Sequence, residues 1–143
     1  MQIEWTEMAR YQQQLQKIVR TLLPVRSATL TASECELLAR LYLQPQQNTP
    51  ILLSQGSCMK KEAVSRCLKS LYEKGYIAKQ PQPGDERGYC MTLTELGMEE
   101  LKNQCEANLD PYYDLLREVG PDFVALLEQV DRVVRQVEEG RPT

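Results

Sequence analysis

The sequence predicts a mainly α chain with one small β-hairpin, an α+β class, and three observations lead there. Apolar residues recur at helical spacing in several separate segments of the 143-residue chain. A single stretch, from Tyr76 to Leu93, changes to a strand, a proline-bounded tip and a return strand. Proline, glycine and threonine fall where these segments should begin or stop.

The first helix is predicted over residues 3–23, where Met8, Tyr11, Leu15, Ile18, Val19 and Leu22 follow a 3.6-residue period and Pro24 closes the run. Two readings stand: an ordinary core helix, or one that serves a partner subunit. Thr31 and Glu34 match a capping box, and Cys35, Leu37, Leu38 and Leu41 supply the stripe of a second helix from Thr31 to about Leu43. Thr49-Pro50 reads as N-cap and first residue of a short third helix, Pro50 to about Gln55, followed by a turn at Gly56-Ser57-Cys58.

In the next helix Val64, Leu68, Leu71 and Tyr72 are expected to face a core, leaving Lys61, Glu62, Ser65, Arg66 and Lys69 on the opposite face. A short helix, a glycine-containing turn and a longer basic helix make a helix-turn-helix pattern, whose second helix suits the major groove of DNA. Gly75 provides a left-handed position behind this helix, Tyr76-Ile77 starts the first strand, and Tyr89 to Leu93 returns with Tyr89, Met91 and Leu93 on one face. Pro81 and Pro83 stiffen the tip and Gly84 turns it. Thr94 caps a further helix carrying Leu96, Met98, Leu101 and Cys105. Asp110-Pro111 reads as a fresh N-cap and first residue, so the helix from Thr94 to Val119 should be kinked or broken there. Gly120-Pro121 ends it. The last helix, Pro121 to about Glu138, carries Phe123, Val124, Leu126, Leu127, Val130, Val133, Val134 and Val137, a stripe wider than one neighbour needs and suited to another subunit.

The length fits one domain, and no apolar run approaches the roughly 20 residues that span a bilayer. The opening MQIEWTEMARYQQQ lacks the apolar core and cleavage site of a signal peptide, so a cytoplasmic location is expected. Of the net charge of −3, residues 1–56 contribute +1 (five basic, four acidic), 57–87 contribute +3 (seven, four) and 88–143 contribute −7 (five, twelve). The acidic total argues against indiscriminate coating of nucleic acid, yet the basic middle third leaves room for a local DNA-reading face.

There is no histidine, which removes the commonest general base and transition-metal ligand; neither an enzyme, a metal nor a cofactor is expected. The five cysteines, Cys35, Cys58, Cys67, Cys90 and Cys105, form no C-x-x-C pair and read mainly as buried small hydrophobes. Cys58, near a helix start beside Lys60 and Lys61, is the candidate redox thiol.

Three stretches resemble the MarR family of winged helix-turn-helix transcriptional regulators. Thr31 to Leu41 is similar to the opening of its second helix. A-V-S-R-C-L-K-S-L-Y-E-K-G-Y-I, Ala63 to Ile77, resembles its recognition helix and exit, and D-E-R-G-Y-C-M-T-L-T-E-L-G, Asp85 to Gly97, resembles its D-x-R wing and the L-T-x-x-G that follows. The resemblance implies one MarR-like domain over residues 1–143: a winged helix-turn-helix lobe at 31–97, with dimerisation helices at 1–30 and 98–143. It also implies a homodimeric repressor on an inverted-repeat operator in double-stranded DNA, and in many members a small aromatic or phenolic effector or a thiol switch. Candidate DNA-binding residues are Lys60, Lys61, Glu62, Ser65, Arg66, Lys69, Asp85 and Arg87, with Asp85 orienting Arg87 by a charge-assisted hydrogen bond. Two positions depart from the family pattern: Lys60 where a capping serine is frequent, and Glu86 where a second wing arginine is common. Trp5, Tyr11, Tyr112 and Tyr113 are candidates to line an effector pocket, although aromatics on amphipathic helices more often belong to a core or a dimer interface. The alternatives are a winged helix used only for protein interaction and, more distantly, a thiol enzyme.

Overall fold

The computed structural model describes residues 1–24 and 26–140, with the side chains of Asp85, Glu86 and Arg87 outside that description. Its elements are α1 (Trp5–Leu22), α2 (Ala32–Leu43), α3 (Pro50–Ser57), α4 (Lys61–Glu73), β1 (Ile77–Gln82), β2 (Asp85–Leu93), α5 (Glu95–Asn108), α6 (Asp110–Val119) and α7 (Pro121–Glu139). The mainly helical class with one two-stranded antiparallel wing is therefore observed.

The core lies where α2, α3, α4, α5 and the base of the wing meet. Leu37, Leu38, Leu41, Leu53, Val64, Leu68, Leu71, Ile77, Met91 and Leu101 are buried together there. Their spacing on α2 and α4 is the 3.6-residue period, so removing this apolar surface from water orients both helices. The capping box of α2 forms as expected: Thr31 Oγ1 accepts from Glu34 N and Glu34 Oε1 accepts from Thr31 N. Thr49 caps α3 and Thr94 caps α5 through the amides of Leu52 and Gly97.

Several boundaries differ from expectation. The third helix runs on through Gly56 to Ser57, and the left-handed residue that stops it is Cys58, at φ 63°. Side-chain hydrogen bonds hold this tighter turn: Ser54 Oγ donates to Met59 O and Met59 N donates to Ser57 Oγ. Tyr72 is not in the core; it lies half-exposed at the edge of α4, one position past the buried Leu71. The return strand begins at Asp85, well before Tyr89. Pro81 pairs with Tyr89 and Gln82 with Asp85, so one step on β1 faces four on β2 and the ladder bulges at the tip. Pro83 and Gly84, at φ 81°, make the two-residue connection. The break before Pro111 occurs, but Leu109 occupies the N-cap and Asp110 is already helical.

The cysteines are less buried than expected. Cys58 is exposed, while Cys35, Cys67, Cys90 and Cys105 are half-buried; Cys35, Cys67 and Cys105 pack on the core rim. Burial pushes the Cys35 and Cys67 thiols up. The core-helix reading of α1 fails, since none of its residues is buried, and on α7 only Phe123 is. No described helix is long and apolar enough to cross a membrane.

Candidate nucleic-acid interface

The candidate surface is built from α4 outward. Val64, Leu68 and Leu71 fasten the inner face of α4 to the core, and this burial leaves Lys61, Glu62, Ser65, Arg66 and Lys69 exposed together on the outer face. Lys60 is the N-cap and makes no side-chain cap bond, so the first amides of α4 lack the partner that a serine would supply. Lys61 and Lys69 each lie about one turn from Ser65, one on either side, an arrangement suited to phosphate oxygens and base edges.

A buried carboxylate ties down the other end of α4. Glu34 Oε2 accepts from Ser70 Oγ at 2.8 Å and from Lys74 Nζ at 3.0 Å. Lys74 Nζ also donates to Thr29 O at 2.9 Å. Burial alone would raise the Glu34 pKa, but the backbone N–H of Thr31, Lys74, Ser70 and the Thr31 hydroxyl together hold it below the ordinary value. Sequence reasoning saw Glu34 only as a capping residue. Its partners on α4 are far along the chain, and no local spacing signals them.

The wing is joined to this unit by hydrogen bonds to backbone carbonyls. Met91 N donates to Asn48 O at 2.8 Å, Thr94 N to Tyr76 O at 3.1 Å, and Thr94 Oγ1 to Gly75 O at 2.6 Å. Gly97 lies so close to the start of the wing that a Cβ there would stand 1.9 Å from the carbonyl oxygen of Tyr76, the residue before β1. The L-T-x-x-G motif is thus a packing device: its threonine caps α5 and its glycine lets that helix touch the wing. Farther out, Lys79 Nζ lies 4.8 Å from the Tyr72 ring centroid and 5.0 Å from that of Tyr89. Asp85 and Arg87 belong to β2, and their proposed hydrogen bond lies outside the described residues.

Residues 30–89 match the family model described as MarR family, spanning α2, α3, α4, β1 and the first part of β2. Over its winged-helix segment the chain matches the MarR family. Mutant MarR from E. coli, in complex with operator DNA, is 26% identical, with 89% of this chain and 92% of that one covered and a TM-score of 0.66. BldR, a transcriptional regulator from Sulfolobus solfataricus, shares the fold at 16% identity, with 94% and 99% covered and a TM-score of 0.75. The MepR–DNA complex of S. aureus shares it at 14% identity, with 95% and 99% covered and a TM-score of 0.61. A comparison with curated proteins finds no match. The MarR-like fold therefore extends beyond the matched segment to the flanking helices.

Two further features concern the expected effector pocket and redox thiol. A cavity of about 420 Å³ opens between the end of α1, α2 and α5, lined among others by Leu23, Cys35, Ala39, Leu101, Cys105 and Leu109. Sequence reasoning missed it, because its walls come from three helices. The four aromatic candidates do not gather there: Trp5 and Tyr11 share an open groove along α1 with Ile3, Met8 and Leu15, and neither Tyr112 nor Tyr113 lines it. Cys58 stands two residues before the α4 N-cap, exposed at its surface. Among the described residues, no three His, Cys, Asp or Glu side chains are grouped to hold a metal ion.

Proposed function

We propose that this MarR-like chain is a dimeric, sequence-specific DNA-binding transcriptional repressor acting on an inverted-repeat operator. The observation that carries the reading is the outer face of α4. Lys61, Ser65, Arg66 and Lys69 are presented together, beside a wing, by a helix whose opposite face is buried. Lys60 and Glu62 flank these residues at the start of the helix, and the wing adds Asp85 and Arg87. The exposed apolar stripes of α1 and α7 support the second subunit, whose two-fold symmetry would set half-sites about 34 Å apart. The apolar cavity between α1, α2 and α5 is suited to a small aromatic or phenolic effector that releases the DNA, and Cys58 is the thiol placed for an oxidative signal instead.

A gel-shift titration against the DNA upstream of the protein's own gene tests the reading. Arg66→Ala and Lys69→Ala are expected to weaken binding while leaving the melting temperature unchanged, since both side chains are exposed. Loss of a phosphate contact also lowers the salt dependence by about one unit per protomer. Unchanged affinity in both variants would remove α4 as the reading helix and leave a winged helix that serves protein interaction.

A further inference from the structure

We propose that Lys79, held between Tyr72 and Tyr89, grips a DNA backbone phosphate in the angle between α4 and the wing; the inference rests on the DNA-binding reading above. One face of the hairpin carries the argument. Alternation puts Ile77 and Lys79 of β1 on the same face as Leu93, Met91 and Tyr89 of β2, in the pairings Ile77 with Leu93, Lys79 with Met91 and Pro81 with Tyr89. At the base of the wing this face is core, with Ile77 and Met91 buried. Farther out it leaves the core, and there Lys79 and Tyr89 emerge opposite Tyr72.

Tyr72 is three residues after Lys69 and seven after Ser65, so it continues the exposed stripe of α4. Lys79 consequently bridges the outer face of the helix and the inner face of the wing. When a helix occupies the major groove and a wing the adjacent minor groove, the sugar–phosphate strand between the grooves must cross the angle between them. A cation lodged in that angle meets phosphates.

The chemistry of the site suits this position. The two ring faces attract the ammonium and limit the wandering of a flexible four-carbon stem, yet they leave N–H donors available to phosphate oxygens. Both rings remain open to solvent, at 48% exposure for Tyr72 and 39% for Tyr89, and Lys79 is itself exposed. Among the described residues no carboxylate pairs with Lys79. The hairpin's only other cation is Arg87, set against Asp85 and Glu86. Without Lys79 the hairpin sequence would therefore be net negative.

Fluorescence anisotropy at several salt concentrations, with the duplex from upstream of the gene and a scrambled duplex of equal length, tests the proposal. Lys79→Met keeps the stem and removes the charge. It is expected to weaken both duplexes by about tenfold, because a phosphate contact carries no sequence information. It should also lower the salt slope by about two units for a dimer, one per protomer. Tyr72→Leu combined with Tyr89→Leu retains the charge; binding should weaken severalfold with the slope kept. In the free protein, the upfield ring-current shift of the Lys79 ε-methylene protons should vanish in that double variant. Should Lys79→Met lower the melting temperature, Lys79→Arg, which restores the charge, is expected to restore the slope.

If Lys79→Met matches the unsubstituted protein in affinity and slope while Arg66→Ala weakens binding, the sandwich is structural only and the proposal is overturned. If the unsubstituted protein binds neither duplex, the DNA-binding reading fails first and this inference with it.

Discussion

Glu34 on the first turn of α2 accepts a hydrogen bond from Lys74 at the end of α4, 3.0 Å away, although forty residues separate them in the chain. The carboxylate is buried and the ammonium partly exposed, so the bond ties the end of α4 to the start of α2.

The Glu34 carboxyl has a lowered pKa in the folded state, which fixes the sign of its pH dependence. A depressed pKa means that the unfolded chain binds the proton more readily. The stabilisation is complete above the ordinary glutamate value of about 4.3 and is lost as pH falls through the lower folded value. Glu34→Ala is expected to cost about 2 kcal/mol at neutral pH, below the full cost of orphaning a buried partner because Lys74 can reach water. Urea unfolding from neutral pH down to acid should show the difference between the two proteins shrinking. A constant difference would mean that packing, not ionisation, supplies the stability.

Gly97 and Tyr76 give a second test. A methyl group at residue 97 would meet a backbone carbonyl that β1 and Thr94 hold in place, so it cannot swing aside. Gly97→Ala should destabilise by about 3 kcal/mol despite the higher helix propensity of alanine. Thermal melts followed by circular dichroism would show this. A variant as stable as the parent would disprove the close approach of α5 to the wing.

The uncapped start of α4 predicts an opposition between stability and binding. Lys60→Ser supplies an acceptor to the first amides of the helix and should stabilise by about 1 kcal/mol. Because Lys60 also belongs to the proposed DNA face, the same variant should bind the operator more weakly. Denaturant midpoints and anisotropy measured on one preparation would resolve the two effects.

The last helix predicts the assembly. Val124, Leu126, Leu127, Val130, Val133, Val134 and Val137 are all more than 40% exposed, a continuous apolar surface along α7. The chain should scatter light as a dimer at micromolar concentration. Val130→Glu with Val134→Glu should shift it to monomers or unfold it, since two carboxylates would enter the interface. A stable, folded monomer of the unsubstituted chain would refute dimerisation.

Local chemistry was enough to place the helices and their caps. Thr31 with Glu34, Thr49 with Pro50 and Thr94 each satisfy amides within a few residues, and the spacing of Val64, Leu68 and Leu71 determines which face of α4 is buried. The same periodicity left Lys61, Ser65, Arg66 and Lys69 outside, so the candidate DNA face was legible in the order of residues alone. Tertiary packing decided what no periodicity encodes. Tyr72 fits the apolar stripe by spacing, but the core ends at Leu71 and the Tyr72 ring goes to Lys79 on another element. The turn expected over Gly56-Ser57-Cys58 starts only after Ser57, where hydrogen bonds of Ser54, Ser57 and Met59 close it at Cys58. The Glu34–Lys74 bond, the cavity between α1, α2 and α5, and the approach of Gly97 to Tyr76 all join segments distant along the chain. Their geometry comes into being only when the helices pack.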